Sequence, residues 1–149
     1  IGDHKISSRE ATAEEAAGLD LTPNSQVICV TRVILVEGQP AAYLIDVLPE
    51  DVLNPDELGD HFTGSVLDVL LRRQQPPLAT SRCAITAVTA SAEVSRAMGI
   101  QRGDVLLCFE AFLYSPTGRV VDYSFSYFLP GHFSFHVVRR VAQNMQSEL

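Results

Sequence analysis

Two stretches of this chain, Thr12 to Pro49 and Ser91 to Pro130, repeat one order of elements. Each reads as a short amphipathic helix, a long apolar strand, a turn at glycine and a second strand closing on Leu-Pro. The first turns at Gly38 and continues through Tyr43 to Leu48-Pro49; the second turns at Gly118 and continues through Tyr123 to Leu129-Pro130. A turn of two to four residues can join only antiparallel neighbours. Two such units in one chain therefore predict an α+β architecture, a largely antiparallel sheet with helices packed on it and an internal helix-hairpin repeat.

The other segments fit around these units. His4 to Arg9 reads as a short first strand, and Thr12 with Glu15 forms a capping-box pattern at the start of the first helix. Val27 to Val36 is almost continuously apolar and β-branched, as expected of a central strand covered on both faces. Glu37-Gly38-Gln39-Pro40 turns it into the strand Ala41 to Leu48. Asn54-Pro55 marks a short helix or looped excursion. Thr63-Gly64-Ser65 opens an amphipathic helix with Val66, Leu67, Val69, Leu70 and Leu71 apolar and Arg72-Arg73 near its C-terminal end. Ala79 to Thr89 is a strand, and the alternation of Phe133, Phe135 and Val137 predicts a last strand over Phe133 to Val141.

At 149 residues the chain is expected to be one domain, able to bury about two-thirds of its unfolded surface. Cys29, Cys83 and Cys108 lie in apolar runs without Cys-x-x-Cys spacing and read as reduced core residues. No stretch approaches the ~20 apolar residues that span a bilayer, and Ile1-Gly2-Asp3-His4 lacks the shape of a signal peptide. A soluble, cytoplasmic protein with no membrane partner is expected. Net charge is −7 and Lys5 is the single lysine. Polyanion binding needs a clustered cationic face, so the chain by itself is not expected to bind nucleic acid.

Signals for catalysis or cofactors are thin. No Walker loop, Gly-x-Gly-x-x-Gly or Gly-x-Ser-x-Gly occurs. His4, His61, His132 and His136 lack metal-ligand spacing; His132 and His136 are four apart, which on a strand is too far to share an ion at ~3.3 Å per residue. Neither metal nor cofactor is expected. Arg32 stands out, mid-strand with Val30 and Ile34 as same-face neighbours. Burying an unpaired guanidinium costs several kcal/mol, so Arg32 is either a structural ion pair with Asp46 or Asp122 or an anion-binding group in a pocket. The backbone N–H groups of Thr63-Gly64-Ser65 offer either ordinary helix capping or an anion site. Farther on, Asp122, Ser124 and Ser126 share one strand face and Tyr123, Phe125 and Tyr127 the other; the polar face is a solvated surface or a pocket floor.

Over nearly its whole length the chain resembles the UTRA (UbiC transcription regulator-associated) effector domains of GntR/HutC-type bacterial regulators. The resemblance is carried by Arg32 through Gly38-Gln39-Pro40, Leu48-Pro49, Gly64-Ser65 with Leu70, Ala92 to Gly103 with Met98-Gly99-Ile100, Gly118 to Ser124, and Phe133-Ser134-Phe135. It implies a chorismate-lyase-like fold over residues 1–149 and a homodimer. It also implies a small-molecule pocket whose occupancy alters operator binding by an N-terminal winged helix absent from this chain. The implied pocket positions are Arg32, Ser65 with Thr63 and Gly64, Asp122 in place of a glutamate, and Tyr123 nearby. Three positions depart from the polar pattern of phosphosugar-binding members: Ile34 for a second arginine, Leu44 for a glutamate and Phe128 for a tyrosine. Unpaired sugar hydroxyls would be costly there, so the expected effector is a small carboxylate with an apolar body. The alternatives are a chorismate-lyase-type enzyme, which would need a second interior cation such as Arg82, and a structural dimerisation module in which a carboxylate closes off Arg32.

Overall fold

The computed structural model describes residues 2–59, 62 and 64–142. Six strands, β1 (His4–Glu10), β2 (Gln26–Val36), β3 (Gln39–Pro49), β4 (Thr80–Thr89), β5 (Val105–Tyr114) and β6 (Val120–Phe128), form one antiparallel sheet in the order β1-β2-β3-β6-β5-β4. Helices α1 (Ala13–Gly18), α2 (Val66–Arg73) and α3 (Ala92–Met98) and a 3-10 turn at Pro55–Leu58 pack on it. This is the expected α+β architecture. The succession β1-α1-β2-β3 occupies one half of the sheet and β4-α3-β5-β6 the other, meeting where Ile45 of β3 faces Phe125 of β6.

Local chemistry explains the boundaries. The Thr12 hydroxyl accepts the Glu15 N–H while the Glu15 carboxylate accepts the Thr12 N–H, closing the capping box that starts α1. Asn54 and Glu57 do the same for the 3-10 turn. The β2–β3 hairpin turns through Glu37 and Gly38, both at positive φ (52° and 79°), the geometry whose twist matches the flanking strands.

The sheet is covered unequally. On one face α2 and the 3-10 turn bring Leu58, Val66, Val69 and Leu70 onto Ile28, Val30 and Leu48. On the opposite face α1 packs Ala16 and Leu19 against Val27, Cys29, Val47 and Tyr123, and α3 packs Val94 and Met98 against Val33, Tyr43 and Leu106. Each such aliphatic side chain contributes about 1.5–3 kcal/mol by leaving water. β2 and β3 are thus covered on both sides, as their sequence requires, whereas β4 is exposed along nearly its whole length.

Three expectations are corrected. Phe133 to Val141 forms no strand. It follows β6, which already has β3 and β5 as neighbours, so no edge is free beside it; an unpaired strand would leave its backbone groups without ladder partners. Phe133 and Phe135 instead pack on Phe128, and Phe135 also on Phe109. Cys29 and Cys108 are buried, but Cys83 is exposed because its strand is the uncovered edge. Arg82, on the same strand, is exposed too and is no interior companion for Arg32.

Candidate functional site

Strand register decides which residues meet. Arg32 faces His4 across β1 and Leu44 across β3; Leu44 faces Ser126, Asp46 faces Ser124, and Ile34 faces Ala42, which in turn faces Phe128. Since side chains alternate across a strand, Arg32, Ile34, Leu44, Asp46, Asp122, Ser124, Ser126 and Phe128 all project to the face that α2 covers. Ile34, Leu44, Ser124, Ser126 and Phe128 are partly exposed there, making a mostly apolar floor with two hydroxyls. Phe128 closes its far end, its ring edge-on to Phe109 at 5.1 Å.

Beneath the floor lies a buried charged group. Arg32, Asp46 and Asp122 are each only 6% exposed, and Arg32 Nη1 donates to Asp46 Oδ2 at 2.5 Å. Arg32 is therefore a paired, interior guanidinium, the first of the two readings its mid-strand position allowed. Burial, then the neighbouring Asp46 charge and a hydrogen bond with Asp46, push the Asp122 carboxyl well above the usual carboxylate range, with Arg32 opposing. Asp122 thus keeps its proton to higher pH than an ordinary carboxyl, limiting the negative charge set against one guanidinium. Arg32 Nε and Asp122 Oδ1 are buried without a hydrogen-bond partner among the described protein atoms, a costly arrangement unless something else meets them.

That proton makes stability depend on pH. Because the folded pKa of Asp122 lies above its ordinary value of 3.8, its contribution is complete below that value and is lost as pH rises through the raised one. Asp122→Asn, which mimics the protonated group, should remove this slope. Urea unfolding from about pH 4 to about pH 9 should show the wild type losing stability relative to the variant as pH rises; a constant difference would contradict the assignment.

The helix entrance sits above this group. Ser65 is the N-cap of α2, its hydroxyl accepting the Asp68 N–H at 3.1 Å, and Gly64 before it is buried with φ 95°. Thr63 and His61 lie outside the described residues. Phe62 stands edge-on to His4 at 5.9 Å, so the segment ahead of α2 reaches the row of Arg32. Tyr123 does not join the site. It points to the opposite face, stacks on Phe112 at 4.5 Å, donates to Glu110 at 2.7 Å and lies 3.3 Å from Glu14. Burial, then Glu110 and Glu14, raise its pKa. Neither this tyrosine–carboxylate cluster nor the Phe109, Phe128, Phe133 and Phe135 cluster has a local sequence signal, because both are built across strands.

Two further hollows lie away from Arg32. One of about 250 Å³ is lined by Asp3, Lys5, Thr31, Tyr43 and Arg96 on the α3 side, and one of about 310 Å³ lies between the end of α1 and the β5–β6 turn. No group of His, Cys, Asp and Glu suited to a metal occurs among the described residues, and no helix among them is long and apolar enough to cross a membrane.

An antiparallel sheet holding a buried Arg–Asp–Asp group below a partly open apolar floor, with a helix N-terminus at its rim, defines a small-molecule-binding regulatory domain rather than a nucleic-acid reader. The chain belongs to the UTRA domain family, whose match spans residues 4–134, and is an effector-binding regulatory domain. Similar solved structures include a transcriptional regulator from Streptomyces coelicolor, 29% identical with TM-score 0.79, the match covering 92% of this chain and 94% of that one. A GntR-family regulator from Bacillus cereus is 20% identical with TM-score 0.80, covering 93% and 98%. The ligand-binding domain of a GntR-family regulator from Bordetella bronchiseptica is 18% identical with TM-score 0.80, covering 93% and 92%. Among curated proteins nothing matches.

Proposed function

We propose that this domain binds a small, largely apolar effector over Ile34, Leu44, Ser126 and Phe128, and that occupancy controls operator binding by an N-terminal winged helix belonging to the same regulator. The observation that carries this is the pair of orphaned buried atoms, Arg32 Nε and Asp122 Oδ1, under a partly exposed floor. A ligand head group with a hydrogen-bond acceptor for Arg32 would meet one of them, and the apolar floor suits a hydrocarbon or aromatic body. The head is a carboxyl or a related acceptor, with Ser65 and Gly64 at the helix entrance as its second contact. Because Asp46 already matches the Arg32 charge, an ionised acid should gain little over its neutral amide.

The regulator acts as a homodimer in the cytoplasm and carries out no chemistry of its own. Support for the last point is the place of Arg82: a lyase holding a dicarboxylate needs convergent cations, and Arg82 is exposed on the edge strand. The domain alone should not retard operator-length DNA in a mobility shift, given its charge of −7.

A thermal-shift panel of apolar-bodied acids, their primary amides and phosphosugars tests the effector class. At a hundred times its dissociation constant a ligand stabilises the fold by ~2.7 kcal/mol, a melting shift of roughly 5 to 10 °C. Acids and amides of one body should shift the melt alike and phosphosugars not at all. A shift confined to phosphosugars would overturn the class.

A further inference from the structure

The two edges of the sheet are built differently. β1 carries His4, Lys5, Arg9 and Glu10, charges of the kind that discourage pairing with another chain. β4, Thr-Ser-Arg-Cys-Ala-Ile-Thr-Ala-Val-Thr, has one charged residue, Arg82, and no proline or glycine, and Ile85 is 52% exposed. An edge of ten residues without a guard is a template for an added strand.

The same chain offers such a strand. After β6, Phe133 packs on Phe128 of β6, and Phe135 packs on Phe128 and on Phe109 of β5. Phe109 faces Ile85 of β4, so the segment crosses the sheet from β6 over β5 toward the β4 edge. Beyond it Val137, Val138 and Val141 are 78%, 90% and 87% exposed, β-branched residues with nothing to pack on. An apolar, partnerless segment delivered toward an unguarded edge is complementary to that edge in another copy, and a two-fold axis satisfies both copies at once.

We propose that residues 136–142 of one copy add as a strand to β4 of a second copy, and reciprocally, so that each sheet is completed by its partner. The inference rests on the homodimer reading above and names its surfaces. It also accounts for the alternating pattern of Phe133 to Val141, which reads as a strand yet finds no partner within one chain. Cys83, exposed on β4, supplies the probe.

The test places a cysteine in the segment, as Val137→Cys, Val138→Cys or Val141→Cys in separate full-length variants, and oxidises each under mild conditions. We expect at least one to form a species of twice the 16.3 kDa chain mass, and that species to vanish when Cys83→Ser is added. Sedimentation should show a dimer for the wild type and a shift toward monomer for Ile85→Lys, a half-exposed position where lysine costs the fold little. A wild type sedimenting as a monomer at micromolar concentrations overturns the proposal, as does a dimer indifferent to Ile85→Lys. A Cys83–Cys83 disulfide in the wild type would show β4 pairing with β4 instead and overturn it as well. None of these readouts uses a ligand, so a failed effector screen beside a Cys83-dependent cross-link would discard the effector class alone.

Discussion

Arg32→Ala is expected to destabilise the domain by about 3–5 kcal/mol, because it strands Asp46 as a buried carboxylate that has lost its only cation. For a chain of this size that is a fall in melting temperature of roughly 10 to 15 °C. The loss measures the penalty on Asp46 rather than the net strength of the pair. Replacing both members, as Arg32→Leu with Asp46→Leu, should recover most of it, since desolvating two charges costs about what their attraction returns. Chemical denaturation of the single and double variants checks both statements. A single variant within ~1 kcal/mol of wild type would mean that Arg32 faces water, and its charge would then be free for an anionic effector.

The sequence was most legible where local chemistry decides the outcome. The Thr12–Glu15 box, the Glu37-Gly38 turn and the unbroken apolar run of β2 each leave one reasonable structure. Arg32 was legible as a residue that must be paired or lead into a pocket, but the choice between them was not. Choosing needs the β2–β3 register, which sets Arg32 opposite Leu44 and brings Asp46 within reach on the same face. Tyr123 was misplaced for a related reason: adjacency to Asp122 in sequence puts it on the opposite side of β6, where it meets Glu14 and Glu110. The segment after β6 shows the limit most plainly. Alternation reports that Phe133 to Val141 suits a strand, but a strand exists only with a neighbour, and within one chain β3 and β5 already flank β6. The exposed state of Cys83 and Arg82 follows from strand order in the same way, since composition cannot reveal which strand ends at the edge.

Leu70→Ala should be comparably damaging, and it probes how the site's upper wall is held. Leu70 is fully buried in the cluster that joins α2 to Ile28, Val30 and Leu48, whereas its neighbour Leu71 is 52% exposed. Truncating a buried leucine removes its transfer free energy and leaves a cavity, together about 2–5 kcal/mol; the same change at Leu71 should stay within ~0.5 kcal/mol. An eight-residue helix has little stability of its own. Loosening it from the sheet should therefore also free Ser65 and Gly64 at its entrance and shrink the effector-induced melting shift, which Leu71→Ala should leave intact. Urea denaturation of both variants, each melted with and without a stabilising ligand, distinguishes the two positions. Equal losses would mean that α2 packs in a different rotation, and an unchanged ligand shift in Leu70→Ala would separate effector binding from the α2 entrance and leave the floor of Ile34, Leu44, Ser126 and Phe128 as its support.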